Sequence, residues 1–81
     1  MTDKIALVLF HTAHCHLCEQ AAALCAAVLN PDFFEVTLVD IADSDPLIER
    51  YGVRIPVLRH EASDRELGWP FDVQQLIDFL S

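Results

Sequence analysis

The sequence predicts an α/β domain, a four-stranded mixed sheet flanked by helices in the order β-α-β-α-β-β-α. Three observations carry that expectation. The apolar run Ile5-Ala6-Leu7-Val8-Leu9-Phe10 is followed, across a short loop, by Cys15-His16-Leu17-Cys18 and an alanine-rich stretch with helical periodicity. An alternating segment then supplies a second strand, and a strand-helix-strand order of this length implies a right-handed parallel crossover. Two short strand-like runs around Glu61-Ala62-Ser63-Asp64 read as a hairpin.

Strand one spans roughly Lys4 to Phe10 and reads as buried on both faces. Helix one runs from about Cys15 to Leu29, with Leu17, Ala21, Leu24 and Val28 on one stripe, and stops at Asn30-Pro31 because proline disfavours helical geometry in the residue before it. Between Phe33 and Ile41, Phe34, Val36 and Leu38 alternate with Glu35 and Thr37, giving strand two. Asp45 is expected to cap a short helix over Pro46 to Tyr51, with Pro46 at its first position and Gly52 as a left-handed stop; the Asp43-Ser44-Asp45 cluster serves capping and solvation. Val57 to His60 and Arg65 to Trp69 form the hairpin, with His60 at the surface of an edge strand. Asp72 caps a last helix bearing Val73, Leu76, Ile77 and Leu80 on one face, and Gln75 completes a capping box.

The chemistry is concentrated at Cys15 and Cys18. Thiols at i and i+3 of a helix start share a face and are close enough to close a disulfide. A helix N-terminus presents unpaired amide N–H groups and the positive end of the peptide dipoles, which favours a thiolate, so Cys15 is expected to be the nucleophile. Cys18, one turn further in and screened from solvent, suits the resolving thiol. His14 and His16 flank the nucleophile and, when protonated, would favour its thiolate. Cys25 lies seven residues past Cys18, about 10 Å along the helix axis, and is expected to be a buried core cysteine outside the disulfide.

Composition narrows the function classes. Eighty-one residues, 53% of them hydrophobic, support a single domain over 1–81 that buries about 60–65% of its unfolded surface. A net charge of −8 with five scattered basic residues disfavours nucleic acid and anionic membranes. The longest apolar stretch, Ala21 to Leu29, is far short of the ~20 residues of a membrane span, and Met1-Thr2-Asp3-Lys4 leads directly into a strand. Three cysteines are an odd count for a stapled secreted scaffold. A cytoplasmic location is therefore expected.

The element order with Cys15-His16-Leu17-Cys18 after the first strand resembles the minimal thioredoxin fold, and at this length it is similar to glutaredoxins over nearly the whole chain. A second specific point is Arg54-Ile55-Pro56-Val57, which falls where thioredoxin-fold proteins carry a cis-proline facing the active-site cysteines. Cys15-His16-Leu17-Cys18 together with Trp69-Pro70-Phe71-Asp72 resembles a group of short glutaredoxin-like proteins. The resemblance implies a thiol–disulfide oxidoreductase with Pro56 forming a substrate platform. A proline entering an edge strand has no N–H to pair, its cis form costs only ~0.5–1 kcal/mol, and a cis bond would expose the Ile55 backbone to an extended substrate.

Departures from the family pattern bear on the reductant. Where glutaredoxins carry a basic residue three positions before the nucleophile, this chain has Thr12; where they carry a Gly-Gly turn before the last helix, it has Gly68-Trp69-Pro70-Phe71. Both tell against glutathione, although Arg54 would replace the missing cation and Asp72 would hold the glutathione amine. Leu9 stands where thioredoxins carry a buried acid. The expected partner is a disulfide-containing protein or a small-molecule thiol, met by a monomer without cofactor or metal, at a surface including His14, His16, Arg54, Ile55, Pro56, Trp69 and Asp72. Two rival readings stay open: a metal-binding protein using Cys15, Cys18 and the nearby His11, His14 and His16, and a thioredoxin-fold interaction module indifferent to both thiols.

Overall fold

The computed structural model describes residues 3–81; the part of the N-terminal expectation that falls on Met1 and Thr2 lies outside them. The elements are β1 (Ile5–His11), α1 (His16–Val28), β2 (Phe34–Asp40), a 3-10 turn (Ile41–Asp43), α2 (Asp45–Tyr51), β3 (Val57–His60), β4 (Arg65–Gly68) and α3 (Val73–Leu80). The sheet order is β2-β1-β3-β4, with β1 and β2 parallel and the other two pairings antiparallel. This is the expected mixed sheet, with a thioredoxin-like arrangement of strands and helices.

Alternation along the strands divides the core between the two faces of the sheet. Leu7, Leu9 and Leu58 point to one face and pack with Ala21, Cys25 and Leu29 of the α1 segment and with Phe71, Leu76 and Phe79 from the α3 segment. Phe10 and Val57 point to the other, where they meet Ile41 and Tyr51. Phe10 and Tyr51 stack with ring centroids 4.2 Å apart. α2 is tied to β4 by polar contacts: the Tyr51 hydroxyl donates to Glu66 Oε2, and Arg50 and Arg54 reach the same carboxylate at 3.4 and 3.0 Å.

Several local expectations are corrected. β1 is fully buried only around Leu7, Leu9 and Phe10, because Ile5 and Ala6 lie beyond the cover of the helices. α1 is rotated relative to the predicted stripe: Cys18, Ala21 and Cys25 are buried, Leu17 is half exposed, and Leu24 and Val28 sit at the margin. Small side chains on the inner face let the helix approach the sheet, which the size of leucine had obscured. In α3 the buried pair is Leu76 and Phe79, whereas Val73 and Ile77 are exposed.

Ser44, not Asp45, caps α2, its hydroxyl accepting from the Leu47 N–H at 3.4 Å, and Asp45 is the first helical residue. Gly52 is not left-handed but right-handed helical (φ −50°, ψ −40°). Its need for hydrogen in place of a side chain is steric, since a Cβ there would lie 2.5 Å from the Ile48 carbonyl oxygen. β3 is an interior strand, so Pro56 does not enter an edge strand and His60 does not lie on one. His60 is half-buried, and its ring nitrogen Nδ1 sits 2.9 Å from Ser63 Oγ in the hairpin turn. The capping box of α3 forms as expected, with Gln75 N–H donating to Asp72 Oδ1 (2.8 Å) and Asp72 N–H to Gln75 Oε1 (3.0 Å).

Candidate active site

The register of the sheet gathers the site at one end. His11 closes β1 opposite Asp40 of β2, and one step beyond the Phe10–Val57 pair the antiparallel register brings Pro56 alongside His11. Trp69 follows, its N–H donating to the Pro56 carbonyl at 3.2 Å. Above this row the loop after β1 turns through His14, which adopts φ 60°, and delivers Cys15 to the start of α1.

Cys15 is the N-cap of α1. It has extended backbone geometry, and its Sγ accepts the Cys18 N–H at 3.1 Å, while its carbonyl accepts from Glu19 N–H at 3.0 Å. A sulfur in this position takes the place of the hydroxyl or carboxylate that ordinarily satisfies a helix's first amides. The two sulfurs are bonded to each other, with the Cα atoms 5.2 Å apart. Cys15 is partly exposed and Cys18 is 3% exposed, so an external sulfur reaches the first and not the second. Cys25 is free and buried, and burial pushes its thiol up to about 11.

A cleft of about 280 Å³ opens beside the pair, with Cys15, Cys18, His11, Thr12, His14 and Glu19 among its walls. Glu19 is a site residue that sequence reasoning passed over; its position four residues after Cys15, on the same helical face, was the available signal. Leu38 also lines the cleft, and only the parallel register of β2 places it there.

The other residues singled out from the sequence are distributed around this cleft or away from it. His16 is outside the lining; its ring faces solvent and pairs with Glu19 at 3.3 Å. Ile55–Pro56 is a cis peptide bond, as is Trp69–Pro70, which the sequence reading did not anticipate. Pro56 is buried, and the Ile55 N–H donates to the Tyr51 carbonyl at 3.0 Å. Trp69 is half-buried and packs edge-on against Phe71, with centroids 5.0 Å apart. Arg54 lies over the Tyr51 ring and donates to Glu66, so it is already paired. The Asp72 carboxylate is engaged in the capping box. Among the described residues no three His, Cys, Asp or Glu side chains converge on a point that would hold a metal ion.

Comparison with known proteins places this geometry in a family. The glutaredoxin-like domain (DUF836) matches residues 6–81. The chain belongs to that family. Among solved structures it is similar to protein XcR50 from X. campestris, a Northeast Structural Genomics target, at 39% identity and TM-score 0.81, covering 91% of this chain and 93% of that one. It is also similar to protein Ne2328 from Nitrosomonas europaea, at 28% identity and TM-score 0.81, covering 100% and 96%. No curated protein matches the chain. The family, the fold and the Cys15–Cys18 pair at disulfide distance fit a redox role.

Proposed function

We propose that the chain is a thiol–disulfide oxidoreductase that cycles between the Cys15–Cys18 disulfide and the dithiol. The observation that carries this reading is the position of Cys15 as helix cap, its Sγ accepting a backbone N–H beside a buried partner thiol. An amide donor aimed at sulfur stabilises the thiolate more than the thiol, which suits Cys15 to be the attacking sulfur. In the reductive direction the Cys15 thiolate attacks a substrate disulfide, forming a mixed disulfide and releasing one substrate thiolate. Cys18 then attacks Cys15 Sγ, releases the second and closes the internal bond. The substrate gains two electrons and the pair loses two.

The substrate surface on this reading comprises the cleft beside Cys15, the Ile55-Pro56 segment and Trp69. A disulfide-containing protein or a small-molecule thiol is its partner in a reducing cytoplasm. Glutathione is disfavoured, because Thr12 offers no cation and Arg54 and Asp72 are held by partners of their own.

Trapping tests the assignment of roles. With Cys18→Ser, attack by Cys15 proceeds and resolution does not, so a mixed disulfide through Cys15 accumulates with a model substrate such as intact insulin, whose chains are joined by disulfides; Cys15→Ser yields none. Equal trapping by both variants, or by neither, contradicts the assignment.

A further inference from the structure

The two edges of the sheet are protected differently. β4 is four residues long, carries Arg65 and Glu66 and runs into Trp69-Pro70, features that discourage a further strand. β2 pairs with β1 over seven consecutive residues, contains no proline, and has no strand on its other side. Its ladder shows which backbone groups are left over. The Ile5 N–H donates to the Phe33 carbonyl at 2.8 Å, so in the parallel register Glu35 and Thr37 turn their N–H and C=O groups toward β1, while Val36 and Leu38 turn theirs outward. The side chains of the same two residues lie on the α1 side, where Phe34, Val36 and Leu38 form one wall of a concavity of about 520 Å³ and Ala22 and Ala26 the other. Leu38 is 55% exposed. Open backbone donors and acceptors and an apolar hollow thus share one strip of surface, and an added strand with apolar residues at alternate positions satisfies both.

Charge selects the kind of strand. Four of the five basic residues are arginines on α2, β3, β4 and the loop after α2, and each is engaged there: Arg50 and Arg54 with Glu66, Arg59 with Glu61 and Asp64, and Arg65 over the Phe79 ring. The β2 edge is acidic instead. Glu35 is exposed and has no ion pair among the described residues, Asp32 precedes the strand and Asp40 ends it, and the remaining basic residue, Lys4, lies just before β1. A second copy of the chain would bring the same carboxylates and a net charge of −8, which opposes self-pairing, whereas a cationic strand is drawn in.

We propose that the open edge of β2 docks an extended, lysine- or arginine-bearing segment of another polypeptide. The segment extends the four-stranded sheet by one strand, bonds to the N–H and C=O groups of Val36 and Leu38, and lays alternate apolar side chains in the hollow beside α1. Its intervening residues lie on the opposite face of the sheet, where Glu35 meets the basic ones. Neither Cys15 nor Cys18 takes part, so the docking does not depend on the oxidoreductase reading.

The probe is a heptapeptide of alternating lysine and valine, acetylated and amidated, added to the oxidised wild-type chain. Amide hydrogen exchange read by NMR is the direct observable. At saturating peptide the Val36 and Leu38 N–H groups are expected to slow by about tenfold or more, while Thr37, already bonded to β1, stays unchanged. The corresponding glutamate–valine peptide is expected to bind about tenfold more weakly, as is the lysine–valine peptide N-methylated at its three central residues, which lacks donors on both edges. Glu35→Lys, an exposed change, removes most of the preference for lysine over glutamate. No slowing at Val36 and Leu38, equal affinity for the two charges, a preference unaltered in Glu35→Lys, or full affinity of the N-methylated peptide overturns the proposal. Slowing of the same amides on raising protein concentration without peptide identifies a second copy of the chain as the occupant and also overturns it.

Discussion

On the α1/α3 face of the sheet, Leu7, Leu9 and Leu58 meet Ala21, Cys25 and Leu76 without a polar side chain among them, whereas on the α2 face Phe10 stacks on Tyr51 and the Tyr51 hydroxyl is bonded to Glu66. The first face holds its helix by close approach of small residues. The second fastens its helix with a buried aromatic whose polar end is satisfied by a carboxylate that also binds Arg50 and Arg54. Each arrangement positions one of the segments at this end of the sheet: α1 follows the sulfur-bearing cap, and α2 leads through Gly52–Ile55 to Pro56, which the β1–β3 register brings alongside His11. Apolar packing thus fixes the helix of the dithiol, while a polar clamp fixes the segment that leads into β3.

The largest contrast is expected within α1 itself. At pH 8 a thiol raised to about 11 is about one thousandth thiolate, so Cys25 of the reduced protein reacts with iodoacetamide orders of magnitude more slowly than Cys15. Mass-mapped labelling time courses check this, and comparable rates would mean that the apolar face is open to solvent. Leu58→Ala, at a fully buried position, should cost about 3 kcal/mol in urea unfolding, within the 2–5 kcal/mol typical of buried leucines.

Breaking the clamp should cost less and should depend on pH. Tyr51→Phe removes the hydroxyl's bond to Glu66 and is expected to cost about 1–2 kcal/mol at pH 7. Partial burial of Glu66 works to raise its pKa, but the hydrogen bonds from Tyr51 and Arg54 outweigh it and hold the carboxyl below the usual range. A depressed carboxyl contributes stability above the unfolded-state value of about 4.3 and loses it as pH falls through the lower folded-state value. Tyr51→Phe should therefore reduce acid sensitivity below that point, as urea midpoints between pH 6 and 3 would show. Tyr51 itself is shifted upward, chiefly by burial and then by its bond to Glu66. Asp72→Ala, which removes the α3 cap, should cost about 1 kcal/mol. The smallest effect is expected for Arg54→Ala, below about 1 kcal/mol, since that guanidinium is nearly half exposed and Arg50 still reaches Glu66.

The sequence made the frame and the sulfurs legible because both rest on local signals. Apolar runs, the Asp72 to Gln75 capping box and the turn at Glu61–Asp64 each have their cause within a few residues. The i, i+3 spacing of Cys15 and Cys18, with the strand before and the helix after, marked the reactive pair. What was missed depends on neighbours distant in sequence. Leucine periodicity points to a face of α1 through Leu17 and Leu24, but only the sheet decides which side approaches, and the small residues Cys18, Ala21 and Cys25 are the ones that meet it. The strand order, which puts β3 inside and makes Pro56 and His60 interior, has no local signature. A glycine after a short helix signals a left-handed stop, whereas Gly52 is right-handed and clears the Ile48 carbonyl. Glu66 and Tyr51, fifteen residues apart, gave no pattern from which their bond could be predicted.

The central claim is that Cys15 and Cys18 form a two-electron centre from which Cys25 is excluded. Equilibration of the chain in graded mixtures of reduced and oxidised dithiothreitol, followed by acid quenching, alkylation and peptide mass mapping, addresses it directly. One reversible transition is expected, in which Cys15 and Cys18 lose their label together, unchanged in Cys25→Ser and absent in Cys15→Ser and in Cys18→Ser. A transition that requires Cys25, or the absence of any transition in the wild-type chain, would contradict it.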